Sequence, residues 1–348
     1  MSIFISMIKK ESLHLVRDFR TMTIVVVMPL VLLMLFGFAI STEVNDVRVI
    51  AVVPQHTDET RSILERMSVN PYFTFKGLAA SDEIEPMLRA GKADAAVVLR
   101  YDGDRLRHQI IVDASNTTTA QTSAAYIESV VSGNTASPVI TNTLYNPQLK
   151  SAYNFVPGIM GMIFILICAM MTSVSIVSEK ETGTMDLLLV SPVRPRTIIL
   201  GKLVPYFLLS CLILTLMLTL SYTVLGLPFS SSVVSVVFMT LLYIVLALGL
   251  GLLISTLVSD SVSALLVSGM VFMIPVIMLS GMIFPIENMP LPLQWVSCIV
   301  PARWYTEAMR VLMVQQLPPS YVVREAAILA AMTAVVLTVA IKNFKTRK

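Results

Sequence analysis

The sequence is poor in charged residues, which make up only 14% of its 348 positions. Soluble domains average about 25%, so an ordinary soluble globular protein is excluded at the outset. A mean hydropathy of +0.79 and a hydrophobic content of 55% indicate a membrane protein instead. The formal net charge of +3 is too small to favour nucleic acid as a partner.

Motifs that carry chemistry are also missing from the sequence. No Gly-x-x-x-x-Gly-Lys-Ser/Thr stretch occurs, so the chain has no P-loop with which to bind a nucleotide. The three histidines lack the spacing of metal ligands, and the three cysteines form no disulfide framework. The 22 methionines are spread through the apolar runs, which favours packing over metal handling. We therefore expect no catalytic residue, metal or cofactor on this chain.

Long uncharged runs are what the sequence has in place of such motifs. A helix needs about 17–25 apolar residues to cross roughly 30 Å of hydrocarbon. The first run is longer than the apolar core of a signal peptide, so we interpret it as a retained span. Leu203 to Ser259 holds no Asp, Glu, Lys, Arg or His, and Gly226 and Pro228 divide it into two spans. The six predicted spans are residues 21–40, 155–177, 203–225, 233–257, 262–284 and 322–341.

Residues 41–150, between the first two spans, have a different composition. Charged residues return there, and short β-rich runs alternate with helix-like stretches. Apolar runs of four or five residues bounded by Pro, Gly and Asp have the length of strands. The predicted fold is therefore an α-helical integral membrane protein with six transmembrane helices. A small α/β domain is inserted between helices 1 and 2, and residues 151–348 form a five-helix domain.

Basic residues predict the orientation of the chain. The N-terminal segment, the stretch between spans two and three and the C-terminal tail each carry four Lys or Arg, and the loop after span three carries none. Lys and Arg are enriched in cytoplasmic loops, so both termini are expected to be cytoplasmic and residues 41–150 extracytoplasmic. Trp295 and Trp304, with Tyr305, are expected to form an aromatic belt at the outer membrane–water boundary.

The stretch EKETGTMDLLLVSPVRP, which begins at Glu179, separates spans two and three. Thr182 or Thr184 is able to cap a short helix, and two prolines end it. A plain loop would need only charge and a turn. A short helix with a triple leucine is better suited to a groove on a partner protein, which favours docking.

Several motifs together resemble the type-2 ATP-binding-cassette (ABC) permeases, in the drug-efflux-like branch with a large extracytoplasmic domain. Residues 17–20, 36–40 and 146–158 resemble that branch. The intracellular signature is matched by Glu179, Glu181, Gly183, Thr184, Leu187, Leu188, Ser191 and Pro192, followed by Gly201 and Lys202. The C-terminal signature is matched by Pro285, Pro290, Trp295, Pro301, Trp304, Tyr305 and Arg310. The likeness covers nearly the whole chain and departs at Ala302-Arg303-Trp304, where a Thr- or Leu-containing version is expected.

The resemblance implies the permease subunit of an exporter in a bacterial cytoplasmic (inner) membrane. The substrate would be an amphiphile: a drug, a lipid or a lipid-linked molecule. Two separate ATPase subunits, which hold ATP and Mg, would power transport, and a second permease chain would complete the complex as a homodimer or a paralogue heterodimer. A membrane-fusion or outer-membrane protein is a further expected partner.

The same resemblance assigns roles to three segments. Residues 179–192 would be a coupling helix seated in the ATPase. Residues 1–20 would form a cytoplasmic amphipathic interfacial helix, and a helical wheel places apolar residues on one face. Residues 285–313 would form re-entrant helices that gate the outer mouth. The predicted apolar face of the N-terminal helix, residues 1–20, consists of Ile5, Ile8, Leu15, Val16 and Phe19.

Two other functions stay open at this point. A stand-alone secondary transporter would explain six spans, but it predicts charges within the membrane or inverted repeats. A membrane-anchored sensor would explain the extracytoplasmic domain, but it predicts a large cytoplasmic output domain. The substrate, and the choice between homodimer and heterodimer, are not predicted by the sequence.

Overall fold

The computed structural model describes residues 3–39, 47–55, 57–70, 73–102, 105–112, 117–131, 151–185, 195–230 and 232–346. The chain divides into two compact units. The larger combines Met1–Ile40 with Ser151–Lys348, and the smaller is Ser41–Lys150.

The regular elements that the structure describes in the larger unit are all helices, joined by turns and short loops. Its helices are α1 (Ile3–Arg17), α2 (Phe19–Ala39), α6 (Ser151–Glu181), α7 (Pro195–Thr223), α8 (Val233–Ser255), α9 (Ser261–Leu279), α10 (Leu291–Ser297), α11 (Pro301–Met309) and α12 (Val323–Thr346). Single 3₁₀ turns at Ile286–Asn288 and Pro319–Val322 and a π-helical turn at Arg310–Val314 join the last of these. Six helices are long and apolar enough to cross a membrane, which confirms the predicted number of spans. They are α2, α6, α7, α8, α9 and α12.

Helix α6 is the most buried span, because small residues let its neighbours approach it closely. A Cβ atom added to Gly251 of α8 would lie 2.5 Å from the carbonyl oxygen of Ala169 on α6. Close backbone approach at small residues is how membrane helices pack without a hydrophobic driving force between them. Ala247, one turn before Gly251, is also fully buried, as expected for a packing face.

The helices extend beyond the apolar runs at several ends. α6 ends at Glu181, because the charged residues of its last turn find partners inside the protein, and α7 begins at Pro195. Proline is compatible with the first turn of a helix, where its missing N–H is not needed. α9 ends at Leu279, earlier than predicted, and Gly281 then adopts a left-handed φ of 78°.

The smaller unit is an α/β fold, which confirms the prediction for the insert. Its described elements are β1 (Val47–Val52), α3 (Asp58–Val69), β2 (Phe73–Leu78), α4 (Ile84–Arg89), β3 (Ala95–Asp102), β4 (Arg105–Val112) and α5 (Thr117–Val131). The strand order is β2-β1-β3-β4, with β1 parallel to β2 and β3, and β4 antiparallel to β3.

Alternating side chains of the central strands serve the two faces of this sheet. Val49 and Val97 pack in one cluster with residues of α3 and α5. Ile50 and Val98 pack on the opposite face with Ile84 of α4. The period of two along a strand explains why neighbouring apolar residues are all buried although they face different helices.

Candidate functional site

The carboxyl end of α6 is shaped by a glycine turn. Gly183 has a φ of 71°, a left-handed conformation that is common where a helix ends. The Thr182 hydroxyl donates to the Ser178 carbonyl at 2.9 Å, and the Thr184 hydroxyl donates to the Glu179 carbonyl at 3.2 Å. Both threonines therefore bond backwards to the end of α6. A new helical turn begins at Thr184, and residues 186–194, which follow it, lie outside the described residues. The predicted coupling residues Leu187, Leu188, Ser191 and Pro192 belong to that stretch.

The last three residues of α6, Glu179, Lys180 and Glu181, form a charged triplet whose members contact different helices. Glu179 accepts from the Lys10 ammonium of α1 at 3.0 Å. The Lys180 ammonium donates to the carbonyl of Ser255, the last residue of α8. Glu181 accepts from Ser261, the first residue of α9, through both its hydroxyl at 2.6 Å and its N–H at 3.2 Å.

Lys202 of α7 lies in the middle of these contacts and is almost fully buried. Its side chain is 3% exposed, and its ammonium lies 3.2 Å from Glu11 Oε1 and 2.9 Å from Glu179 Oε2. Glu11 of α1 and Glu179 of α6 flank the Lys202 ammonium, so that its charge is held inside the protein. A buried ammonium with two carboxylates around it satisfies the rule that buried charges are compensated.

Glu11 was not singled out from the sequence. The predicted apolar face of α1 contained Ile5 and Val16, yet both are exposed. The protein-facing side instead brings Met7 against Gly201, where an added Cβ would lie 3.1 Å from the Met7 Cβ. Met7 and Glu11 are four residues apart and therefore share a face. No signal in the sequence indicated this face, because the helical wheel placed the apolar side of α1 elsewhere.

A cavity of about 450 Å³ opens beside these ion pairs, lined by residues of α1, α2, α6 and α7 and by Thr182 and Thr184. Lys10 and Lys202 reach it from α1 and α7, and Glu179 reaches it from α6. Burial lowers the pKa of Lys10, but its hydrogen bond to Glu179 and the charge of that carboxylate outweigh burial and leave the pKa above its ordinary value. Lys10 is thus held as a cation in its pair with Glu179.

An apolar contact completes the turn. Met185, two residues after Gly183, is 3% exposed. It belongs to a buried cluster with Ile199 of α7, Leu252 of α8 and Ala340 of α12. Residues 179–185, which we call the turn segment, therefore contact α1, α7, α8, α9 and α12.

The amino end of α6 meets a different structure, the short helices between α9 and α12. Three of the predicted prolines lie at the starts of these short helices and turns. Pro285 precedes the first 3₁₀ turn, Pro290 precedes α10, and Pro301 is the first residue of α11. Proline fixes φ near the helical value and lacks an N–H that a first turn does not use. The three prolines thus account for the division of residues 285–313 into short pieces.

Tyr305 and Trp304 fix α11 within the bundle. Tyr305 is fully buried and stacks on Tyr243 of α8, with ring centroids 4.3 Å apart. Its hydroxyl lies 3.1 Å from the hydroxyl of Thr240. The Trp304 indole N–H donates to the Cys298 carbonyl at 2.9 Å. Trp304 and Tyr305 are buried because their polar groups find partners inside the protein, and their position near the outer membrane–water boundary stays a prediction. Trp295, at 73% exposure, has the accessibility that a belt residue needs.

Arginines tie the same region to backbone carbonyls. Arg310 donates to the Gly281 carbonyl at 2.5 Å, and Arg303 donates to the Gln294 carbonyl at 3.0 Å. Met282 covers Gly158 of α6, where an added Cβ would lie 2.4 Å from the Met282 side chain. The departure from the family pattern at residues 302–304 therefore supplies a carbonyl-binding arginine and a buried tryptophan.

Both ends of α6 are arranged to connect helices to one another. Within the part of the chain that the structure describes, no group of three or more His, Cys, Asp or Glu residues is placed to hold a metal ion. The carboxyl end joins helices through ion pairs and a glycine turn. The amino end joins them through aromatic stacking and arginine–carbonyl bonds.

Comparison with known proteins gives matches over most of the chain. The model of a family described as "ABC-2 family transporter protein" matches residues 19–342. The Escherichia coli (strain K12) protein named "Probable multidrug ABC transporter permease YbhS" is 31% identical over 324 residues, which are 87% of this chain and 86% of that protein. "Probable multidrug ABC transporter permease YbhR" of the same strain is 31% identical over 324 residues, 87% of each chain. "Inner membrane transport permease YhhJ", also of that strain, is 26% identical over 275 residues, 71% of this chain and 73% of its own.

Proposed function

The chain belongs to the ABC-2 transporter family, and from that membership we propose that it is the membrane-spanning permease subunit of an ATP-driven exporter. Its substrate is an amphiphile, a drug, a lipid or a lipid-linked molecule, which leaves the cytoplasm or the inner leaflet. ATP and Mg bind to two separate ATPase subunits. Family membership favours this function over the stand-alone secondary transporter and the membrane-anchored sensor.

The observation that carries the proposal is the turn at the carboxyl end of α6. A left-handed Gly183 follows the end of α6, and a new helical turn starts at Thr184. The family resemblance assigns residues 179–192 to the coupling helix, and Leu187 and Leu188 follow the new turn directly. Two apolar side chains beyond the end of a span are suited to a groove on the ATPase.

The test replaces both leucines. Burying one leucine contributes about 1.5–3 kcal/mol, so Leu187→Asp with Leu188→Asp should release the ATPase from the purified complex. The control introduces the same charges in the α/β unit, at Val69 and Leu78, which are 83% and 55% exposed. Affinity pull-down of the ATPase is the measurement. An ATPase that stays bound to the leucine variant would contradict docking through this segment.

The transport activity is tested in inverted membrane vesicles. Vesicles that contain the permease and its ATPase should accumulate a fluorescent amphiphile when ATP is added. A complex whose ATPase has lost its P-loop lysine should not, because that lysine contacts the nucleotide phosphates. Accumulation that follows an ion gradient and ignores ATP would instead favour the secondary transporter.

Orientation is part of the proposal. Both termini and the turn segment are cytoplasmic, and residues 41–150 are extracytoplasmic, because Lys and Arg concentrate on the cytoplasmic side. In a background where Cys168, Cys211 and Cys298 are replaced by serine, an impermeant maleimide should label Asp102→Cys in intact cells. It should not label Thr184→Cys or Lys345→Cys. Labelling of Thr184→Cys from outside would reverse the orientation.

A second permease chain completes the proposed complex. Apolar side chains on α2 and α9, such as Ile24, Phe38, Met270 and Ile274, are exposed in the single chain, which suits contact with lipid or with another permease. The mass of the purified complex should correspond to two permease and two ATPase chains.

We also propose that residues 41–150 pass substrate to a membrane-fusion or outer-membrane partner. Unchanged export after their deletion would argue against that role.

A further inference from the structure

We propose that the charged triplet Glu179–Lys180–Glu181 positions the helices of the permease itself and does not form the contact with the ATPase. Its three side chains connect the turn segment to α1, α7, α8 and α9, so that a movement of the segment reaches these helices together. This inference rests on the proposed function, because it assigns the triplet a part in coupling ATP hydrolysis to transport.

Helical geometry explains why three consecutive residues are able to do this. An α-helix has 3.6 residues per turn, so neighbouring side chains point about 100° apart. Glu179 therefore reaches Lys10 and Lys202, Lys180 reaches α8, and Glu181 reaches α9. Residues spaced three or four apart would share one face and contact one neighbour.

The order of charges also fits the helix ends that the triplet meets. The carbonyls at the end of a helix lack intrahelical partners and carry partial negative charge, and the Lys180 ammonium binds one of them at Ser255. The N–H groups at the start of a helix carry partial positive charge, and Glu181 accepts from the N–H of Ser261 at 3.2 Å. A positive residue followed by a negative one is therefore what these two ends require.

Glu179 is already occupied within the chain. Its side chain is 14% exposed, and its two oxygens lie 3.0 Å from the Lys10 ammonium and 2.9 Å from the Lys202 ammonium. A carboxylate in this state offers little surface to another protein. The segment that remains for the ATPase begins after Met185, which is itself buried among α7, α8 and α12.

The decisive variant exchanges two charges, Lys180→Glu with Glu181→Lys. It keeps the net charge of the segment but places each charge against the wrong helix end. We expect the ATPase to co-purify as in wild type and the amount of amphiphile transported per ATP hydrolysed to fall roughly tenfold, within the range usual for coupling between sites. Lys9→Met, at an exposed position of α1 next to Lys10, is the matched control and should leave that ratio unchanged.

A milder pair of variants guards against misfolding of the exchange variant. Ser261→Ala removes the 2.6 Å hydroxyl bond to Glu181 from the α9 side without changing the triplet. Glu181→Gln removes the charge from the other side. The double variant combines both changes. If the contact couples the helices, the fold-loss in transport per ATP of the double variant should be smaller than the product of the two single fold-losses. Lys180→Arg, which keeps the charge beside the Ser255 carbonyl, should retain most of the coupling.

Three results would overturn the inference. Release of the ATPase by the exchange variant would make the triplet a docking surface. A wild-type ratio of transport to hydrolysis in that variant would deny it a positioning role, and so would independent effects of Ser261→Ala and Glu181→Gln. These results differ from failure of the proposed function, in which wild-type permease neither retains an ATPase nor transports with ATP.

Discussion

The two ends of α6 are held by different kinds of contact. At the carboxyl end, charged side chains of different helices pair with one another, as Lys202 does with Glu11 and Glu179. At the amino end, Tyr305 stacks on Tyr243 and the arginines bind backbone carbonyls. The first set of contacts depends on charge, and the second depends on shape.

This difference favours different mechanical roles for the two ends. Long charged side chains tolerate small displacements, because their flexible stems let the charged groups follow each other. The stacked rings of Tyr243 and Tyr305 lie against Gly161 and have no such freedom, since packed interiors resist deformation. We interpret the carboxyl end as the place where movement enters α6 and the amino end as the part that moves as one body.

The largest effect is expected from removing the charge at the centre of the carboxyl end. Lys202→Met leaves the Glu11 and Glu179 carboxylates without the ammonium that lies between them. Loss of one partner from a buried ion pair costs about 3–5 kcal/mol, so the variant should show a clearly lower Tm in detergent. Thermal unfolding of the purified chain is the measurement.

A triple variant separates the charge from the packing at this end. Lys202→Met combined with Glu11→Gln and Glu179→Gln removes all three charges and keeps similar side-chain volumes. Replacing a whole buried ion network costs much less than breaking it, so the triple variant should be more stable than Lys202→Met alone. Equal stability of the two would mean that Lys202 acts through its packing and not through its charge.

The next effect concerns the shape-dependent end. Gly161→Ala would place a Cβ 2.8 Å from the Tyr305 ring, which Tyr243 holds from the other side. Overpacking of a tight core costs about 1–3 kcal/mol, and the Tm should fall accordingly. Gly269→Ala is the matched control, because its Cβ would meet nothing nearer than 3.7 Å. An equal loss in the two variants would show that helix propensity or expression, and not the tyrosine contact, is responsible.

A smaller effect is expected at the turn between α6 and the segment that follows. A Cβ added to Gly183 would meet no atom of the described residues within 4 Å, so Gly183→Ala tests the φ of 71°. A left-handed conformation costs an alanine about 1–2 kcal/mol. Gly183→Asn should cost less, since asparagine adopts this conformation more readily. A Tm for Gly183→Asn below that of Gly183→Ala would contradict a purely conformational role for the glycine.

Properties set by local pattern were predictable from the sequence. The thickness of the hydrocarbon core fixes the length of a span, so the run from Leu203 to Ser259 had to contain two. The insert was recognisable because strand-sized apolar runs alternate with helical ones. The end of the second span was recognisable because the charged residues Glu179, Lys180 and Glu181 follow its apolar run.

Contacts between distant residues were not predictable in this way. Lys202 and Glu11 lie 191 positions apart, and no periodicity in either segment indicates that one covers the other. Trp304 and Tyr305 have the composition of a membrane-interface pair, and only the packing of α11 against α8 shows that they are buried. The fit of Lys180 and Glu181 to the ends of α8 and α9 likewise depends on where those helices stop.

The smallest effect is expected at a carboxyl group of the short helices. Glu307 of α11 is half-buried, and burial raises its pKa above the ordinary value. The charges of Glu325 and Glu287 also raise this pKa, while those of Arg303 and Arg324 lower it. Arg310 on the adjoining turn also faces this charge. A carboxyl whose pKa is higher in the folded state holds its proton more tightly there, so its contribution to stability is complete at low pH. That contribution is lost as the pH rises from the unfolded value through the folded one.

Glu307→Gln removes the penalty of a half-buried carboxylate while keeping the size of the side chain. At about pH 7 the variant should therefore have a Tm equal to or slightly above that of wild type. At about pH 4 the wild-type carboxyl is largely protonated, so the difference in Tm should vanish. Asp82→Asn, at an exposed position of the α/β unit, is the control and should change the Tm little at either pH. A Tm for Glu307→Gln below wild type at neutral pH would mean that attraction to Arg303 and Arg324 outweighs burial. The amino end of α6 would then also depend on ion pairs, and the contrast between the two ends would be one of degree.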